Sequence, residues 1–176
     1  MTLTRDKSIV ASTLVSFCLM LLLAGCSVSY KFNGSSIDYL ATKTIQIDDF
    51  PLRSAYVWAP MHSMFNNELS DAYTRQTKLR LVKRNGDLQL SGEITEYSQY
   101  NKSVSADGYS SQTQLKMTVN VRFVNNKKHS DDFERSFTAT ADYDSSQRLN
   151  DVQEDLVTQM IETIVDQIFN ATVANW

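Results

Sequence analysis

Apolar and polar residues alternate along much of this chain, and the period changes from two to about 3.6 at two places. Ile45 and Ile47 alternate with Thr44 and Gln46, which predicts a short strand over 44–47 closed by Phe50 and Pro51. Met61, Met64, Phe65, Leu69, Ala72 and Tyr73 recur at helical spacing behind Pro60, a residue suited to a first turn, so a helix is expected from about Pro60 to Arg75. Leu79 and Leu81 then alternate with Arg80 and Val82 in a short strand. Asn85-Gly86 follows, a pair that tolerates positive φ and predicts a two-residue hairpin.

Two long strands come next. Leu88, Leu90, Gly92 and Ile94 share one face, against Gln89, Ser91 and Glu93. After a Ser-, Tyr- and Asn-rich stretch from Tyr97 to Ser110, read as an extended hairpin end, Leu115, Met117, Val119, Val121 and Phe123 alternate with polar neighbours. Asn125 to Lys128 makes a turn. A last strand places Phe133, Arg135, Phe137, Ala139, Ala141 and Tyr143 on one face, and Glu134, Ser136, Thr138, Thr140 and Asp142 on the other. The chain closes with a helix whose stripe runs from Val152 through Leu156, Met160, Ile161, Ile164, Val165 and Ile168 to Phe169. Asn150, with Gln153 three residues on, resembles a capping box at its start. The order strand, helix, strands, helix predicts an α+β fold: two helices packed on one face of a mostly antiparallel four- to five-stranded sheet, with the other face polar.

The first residues differ in character. Arg5 and Lys7 precede an apolar run from Ile9 to Leu23 that ends in Leu23-Ala24-Gly25-Cys26. A basic start, an apolar middle too short for the roughly 20 residues of a membrane span, and small residues before a cut are the marks of a secretory signal. The Leu-Ala-Gly-Cys ending matches the bacterial lipobox, in which the cysteine is acylated by palmitate-type chains and becomes the new N-terminus. Residues 1–25 are therefore expected to be a signal peptide, 26–41 a lipidated tether, and 42–176 a single α+β periplasmic domain. Ser27, not Asp, follows Cys26, a pattern that favours the outer membrane, on its periplasmic side.

Composition changes this picture little. Removing residues 1–25 takes away Arg5, Asp6 and Lys7 and moves the formal charge from −3 to −4, without the basic stripe of a nucleic-acid binder. Cys18 leaves with the signal and Cys26 is consumed by lipid, so no disulfide is available. His62 and His129 sit in different elements, without metal-ligand spacing, and no nucleophile elbow, phosphate loop or dinucleotide fingerprint occurs. The carboxylate pairs Asp48-Asp49, Asp131-Asp132 and Glu154-Asp155 read as solvated loop or first-turn acids. No metal, cofactor or enzymatic activity is expected. Two features could meet a partner: the polar sheet face around Thr118, Asn120, Arg122, Thr138 and Thr140, and the basic residues Lys83, Arg84, Lys127, Lys128 and Arg135 near loops and strand ends.

Several segments, in this order, carry a resemblance: Leu-Ala-Gly-Cys at 23–26 followed by Tyr30 to Ser36, Ile45 to Pro51, Gly86 to Ile94, Phe133 to Phe137, and Ile164 to Asn170 with the Asn175-Trp176 end. Together they resemble the LptE family of lipopolysaccharide-assembly lipoproteins, in the form found in Bacteroidetes-type bacteria. The resemblance implies a non-enzymatic lipoprotein that plugs and helps assemble the outer-membrane translocon barrel LptD and assists lipopolysaccharide delivery to the outer leaflet, from the periplasmic side or inside the barrel lumen. It also implies glycolipid contact through basic residues, for which Arg135, Lys127, Lys128 and Arg122 are the nearest matches, beside the lipidated Cys26. A periplasmic binding or envelope-maintenance lipoprotein with a different partner is the alternative reading.

Overall fold

The computed structural model describes residues 37–104 and 110–173. The expected signal peptide, Cys26, most of the expected tether, residues 105–109 and the Asn175-Trp176 end lie outside the described residues.

Strand β1 (Thr44–Ile47) is followed by helix α1 (Pro60–Gln76), β2 (Arg80–Leu81), β3 (Leu88–Val104), β4 (Ser110–Asn125), a 3₁₀ turn at His129–Asp131, β5 (Phe133–Asp144) and helix α2 (Leu149–Thr172). The strands form one sheet in the order β2-β1-β3-β4-β5. The β3-β4 and β4-β5 pairs are antiparallel, whereas β1 runs parallel to both its neighbours. The expected α+β class, with two helices and a mostly antiparallel sheet, is what the chain adopts.

Burial follows the alternation. Leu115, Met117, Val119, Val121 and Phe123 of β4 are all buried, as are Phe137, Ala139, Ala141 and Tyr143 of β5. They meet the α2 stripe of Val157, Met160, Ile161, Ile164, Val165 and Ile168. Full burial of one such aliphatic side chain contributes roughly 1.5–3 kcal/mol, so this layer dominates the domain's stability. The two helices lock together at one end, where the buried Tyr73 hydroxyl bonds to Thr172 and the Tyr73 ring packs on Phe169 at 5.3 Å between centroids. Burial also pushes the Tyr73 hydroxyl pKa well above its usual range, so it stays protonated at any ordinary pH.

Four local expectations are corrected. Asn85-Gly86 does not close a hairpin, because β1 lies between β2 and β3 and the connecting loop must pass across it. The residues keep their local roles: Asn85 has φ 56°, and a Cβ on Gly86 would fall 2.5 Å from the Gln46 backbone nitrogen. Pro51 does not end pairing; the Ile94 amide donates to the Pro51 carbonyl and the Arg53 amide to Ile94, so the chain continues alongside β3. Leu81 is exposed at the sheet's edge while Leu79 alone turns inward. Finally, Asn150 and Gln153 form no capping box. The helix starts two residues earlier, after Arg148, with no side-chain cap, and Gln153 is buried with its amide donating to the Tyr97 hydroxyl at 2.9 Å. A buried amide needs a partner inside the protein, and Tyr97 outcompeted the helix end.

Candidate functional site

The sheet face away from the helices is built by a change of register. Ile94 pairs with Val119 but Glu96 with Thr118, so Thr95 is an extra residue in β3. That bulge shifts the alternation by one. Tyr97 turns into the core after Leu88, Leu90 and Ile94, and Glu96 turns out onto the polar face. There Glu96 accepts hydrogen bonds from Ser98 and Tyr100, both 2.8 Å, and from Thr118 at 3.1 Å, and it pairs with Lys116 at 2.9 Å. The Thr118 and Thr138 hydroxyls bond across to β5 at 3.1 Å, and Ser136 donates to Asn120 at 2.6 Å. Near the hairpin, Asp142 binds Lys102 and takes a 2.7 Å bond from Gln114. The polar face is thus a hydrogen-bonded surface across three strands.

Lys116, with the Tyr100, Ser98 and Thr118 hydroxyls, holds the Glu96 carboxyl down at about 2, against an ordinary 4.5. The same contact pushes the Lys116 ammonium pKa upward. Because the folded-state value is depressed, the stability supplied by ionised Glu96 is complete above about pH 4.5 and is lost as pH falls toward about 2. In a Glu96→Gln variant the fall in stability across that window should be shallower than in the parent. Urea unfolding at pH 7 and at pH 3 measures it; equal slopes with pH would remove Glu96 from its central place.

The four basic residues do not form one site. Arg122 lies on the polar face opposite Glu134 of β5, in a shallow hollow with Gly92 and Glu93. Arg135 is opposite Val121, so it points to the helix side. It stays exposed there, at the open end of the sheet, with its guanidinium 5.0 Å above the Phe133 ring and 6.0 Å from Phe137. Lys128 and Arg135 line one hollow of about 360 Å³ beside the end of α2, but Asp131 and Asp132 line it too. Lys128 pairs with Asp131 at 2.7 Å, so the hollow's cations and acids balance.

Lys127 shares a second hollow with Lys128, Asn125 and Asp131, and its ammonium binds Asp87 at 2.9 Å. Asp87 also accepts from the Lys43 and Thr44 amides and the Thr44 hydroxyl, which together with Lys127 depress its carboxyl far below the usual range. Asn126 adds a 2.8 Å bond to the Gly86 carbonyl. The basic turn is therefore a clasp joining β1, the loop before β3 and the end of β4.

Both histidines seen in the sequence are occupied by neighbouring acids. Asp49 bonds His62 at 3.0 Å, Asp132 bonds His129 at 3.0 Å and the Asn125 amide at 2.7 Å. Among the described residues no group of three His, Cys, Asp or Glu comes together to hold a metal. Among them, too, no helix is long and apolar enough to cross a membrane. Glu96, Asp87 and the Tyr97–Gln153 pair escaped the sequence reading. The one available signal was the break in alternation at Ile94-Thr95-Glu96-Tyr97.

A scan against protein families matches LptE, lipopolysaccharide-assembly, over residues 42–172. No curated protein sequence matches the chain. Among solved structures, the hypothetical protein CT253 from Chlamydia trachomatis is similar at TM-score 0.53 and 12% identity, covering 75% of this chain and 98% of that one. Rare lipoprotein B from Shewanella oneidensis aligns at TM-score 0.46 and 14% identity over 70% of this chain and 92% of its own. A minor lipoprotein from Acinetobacter baumannii aligns at TM-score 0.47 and 16% identity, over 72% and 89%. At such identities the Chlamydia likeness speaks for the fold alone.

Proposed function

This chain belongs to the LptE, lipopolysaccharide-assembly family, and from that premise we propose that it is a non-enzymatic outer-membrane lipoprotein that plugs and helps assemble the translocon barrel LptD and assists lipopolysaccharide delivery to the outer leaflet. The observation that carries the reading is the family match, which spans both helices and all five strands. In this reading residues 1–25 are the signal peptide, Cys26 carries the lipid, 26–41 is the tether, and the domain from 42 works on the periplasmic side or inside the barrel lumen.

The physical requirements of the role agree with the domain. The interior of a large outer-membrane barrel is polar. A plug for it needs a stable core and a polar surface whose side chains are already ordered. The hydrogen-bonded face around Glu96, Lys116, Thr118 and Thr138 supplies such a surface. Contact with an anionic glycolipid falls to Arg122 on that face and to Arg135 and Lys128 at the sheet's open end. Lys127 and Lys128 contribute less than the two arginines in this reading, because Asp87 and Asp131 already neutralise them.

The test is to purify the lipidated protein from its own outer membrane in mild detergent and identify what co-elutes. A stoichiometric large β-barrel, with loss of barrel maturation when the lipoprotein is depleted, is the expected result. Elution alone at native abundance would refute the role and favour a lipoprotein with a different partner.

A further inference from the structure

The two edges of the sheet are finished differently. The β2 edge is only Arg80–Leu81, and Lys83 and Arg84 follow directly. A short edge with nearby charge is a usual guard against pairing with another strand. The β5 edge is long, and its charges, Glu134, Arg135, Asp142 and Asp144, lie toward its ends. It runs from Phe133 to Asp144 without proline or lysine, and from Phe133 to Tyr143 no backbone group forms a hydrogen bond outside the β4 ladder among the described residues. Its outward row of Ser136, Thr138 and Thr140 is exposed and uncharged, with Glu134 and Asp142 at the ends.

A second observation concerns the helix above that edge. At about 3.6 residues per turn, α2 presents Thr158, Ile161, Glu162 and Phe169 toward α1, as their contacts show. Val157, Met160, Ile164 and Ile168 face the sheet. The flank further round, away from α1, carries Leu149, Val152, Leu156, Gln159, Thr163 and Gln167, with no charge. Leu149, Val152 and Leu156 are only partly covered. A strand laid beside β5 would place every second side chain against this flank and cover those three.

We propose that the free edge of β5 receives an extended strand from another protein, extending the sheet by one strand. Backbone groups would supply affinity and the α2 flank would select alternate apolar side chains. The charges argue against a second copy as the guest. Antiparallel self-pairing centred on Phe137, Thr138 or Ala139 sets Asp132 opposite Asp142, Glu134 opposite Asp142, or Glu134 opposite Asp144. Like charges directly opposite destabilise a pair. The complementary guest has small or hydroxyl residues across from Ser136 to Thr140 and a basic residue across from Glu134, while Asp142 is already bound by Lys102. This inference does not depend on the partner being LptD.

The probe is a benzophenone side chain placed in turn at Ser136, Thr138 and Thr140 of the full-length lipidated protein in its own membrane, with Glu162, exposed on the α1-facing side of α2, as control. Irradiation should attach a different protein at all three positions and not at Glu162. Its attachment site should advance by about two residues with each step of the probe, the strand period. Amides of 133–143 should exchange about tenfold more slowly in the membrane-extracted complex than in the protein purified alone. Attachment to a second copy, attachment sites that do not advance in step, equal labelling from Glu162, or unchanged exchange would each overturn the proposal.

Discussion

Gly92→Val should lower the stability of the domain by about 3 kcal/mol or more, the upper end of what overpacking a core costs. Gly92 sits in β3 opposite Val121. A Cβ added there would collide with the carbonyl oxygen of Asn120 in β4 and lie 2.5 Å from Cε1 of Phe50. Phe50 is fully buried and packs on Phe65 at 5.4 Å between centroids, so its ring cannot retreat freely. The carbonyl is held by the strand ladder and cannot retreat at all without breaking it. For a domain of this size, such a loss corresponds to a fall in Tm of about 10 °C, readable by circular dichroism. Gly92→Ala should show much of the effect already. Adding Phe50→Leu to Gly92→Ala should restore only a minor part, because it relieves the ring contact and leaves the carbonyl contact. A Gly92→Val protein that melts with its parent would mean that β3 and β4 separate more easily than their pairing implies.

Cys26→Ala should abolish acylation completely. Each buried CH₂ contributes about 0.8 kcal/mol to membrane anchoring, and one acyl chain alone holds a protein only marginally. A mature N-terminus carrying several chains is effectively permanent in the membrane, and among the described residues no helix is long and apolar enough to cross one. The intact mass of the parent should correspond to a chain that starts at Cys26 and bears acyl groups, whereas the variant should carry none. If the variant is also given a plain secretory signal in place of residues 1–25, it should move to the soluble periplasmic fraction. A parent mass without acyl groups would remove the anchor from the functional reading, while leaving the family assignment of residues 42–172 in place.

Arg135 illustrates how position alters a residue's chemistry. The strand pattern already puts it on the same face as Phe133 and Phe137, and that is where it lies. Had the helix reached over it, a buried unpaired guanidinium would have cost several kcal/mol. Instead α2 stops short, and the side chain rests on two aromatic rings in contact with water.

The alternation of apolar and polar residues by itself determined the main elements, which side of β4 and β5 enters the core and the α+β class, because burial of one face is the largest favourable term and it acts locally on every element. The lipobox and the order of short segments pointed to the family in the same way, through residues adjacent in sequence. Only the tertiary structure decided what depends on which segments meet. The parallel insertion of β1 between β2 and β3 cannot be read from Asn85-Gly86, since a turn pair specifies local φ and not the strand beyond it. The pairing of Gln153 with Tyr97, residues 56 apart in sequence, overrode a helix-start motif because a buried amide must find its partner across the core. The clasp of Asp87 on Lys127 and the gathering of four partners on Glu96 arise the same way, from strands brought side by side. Charge positions are legible in a sequence, but which charges neutralise one another is a property of packing.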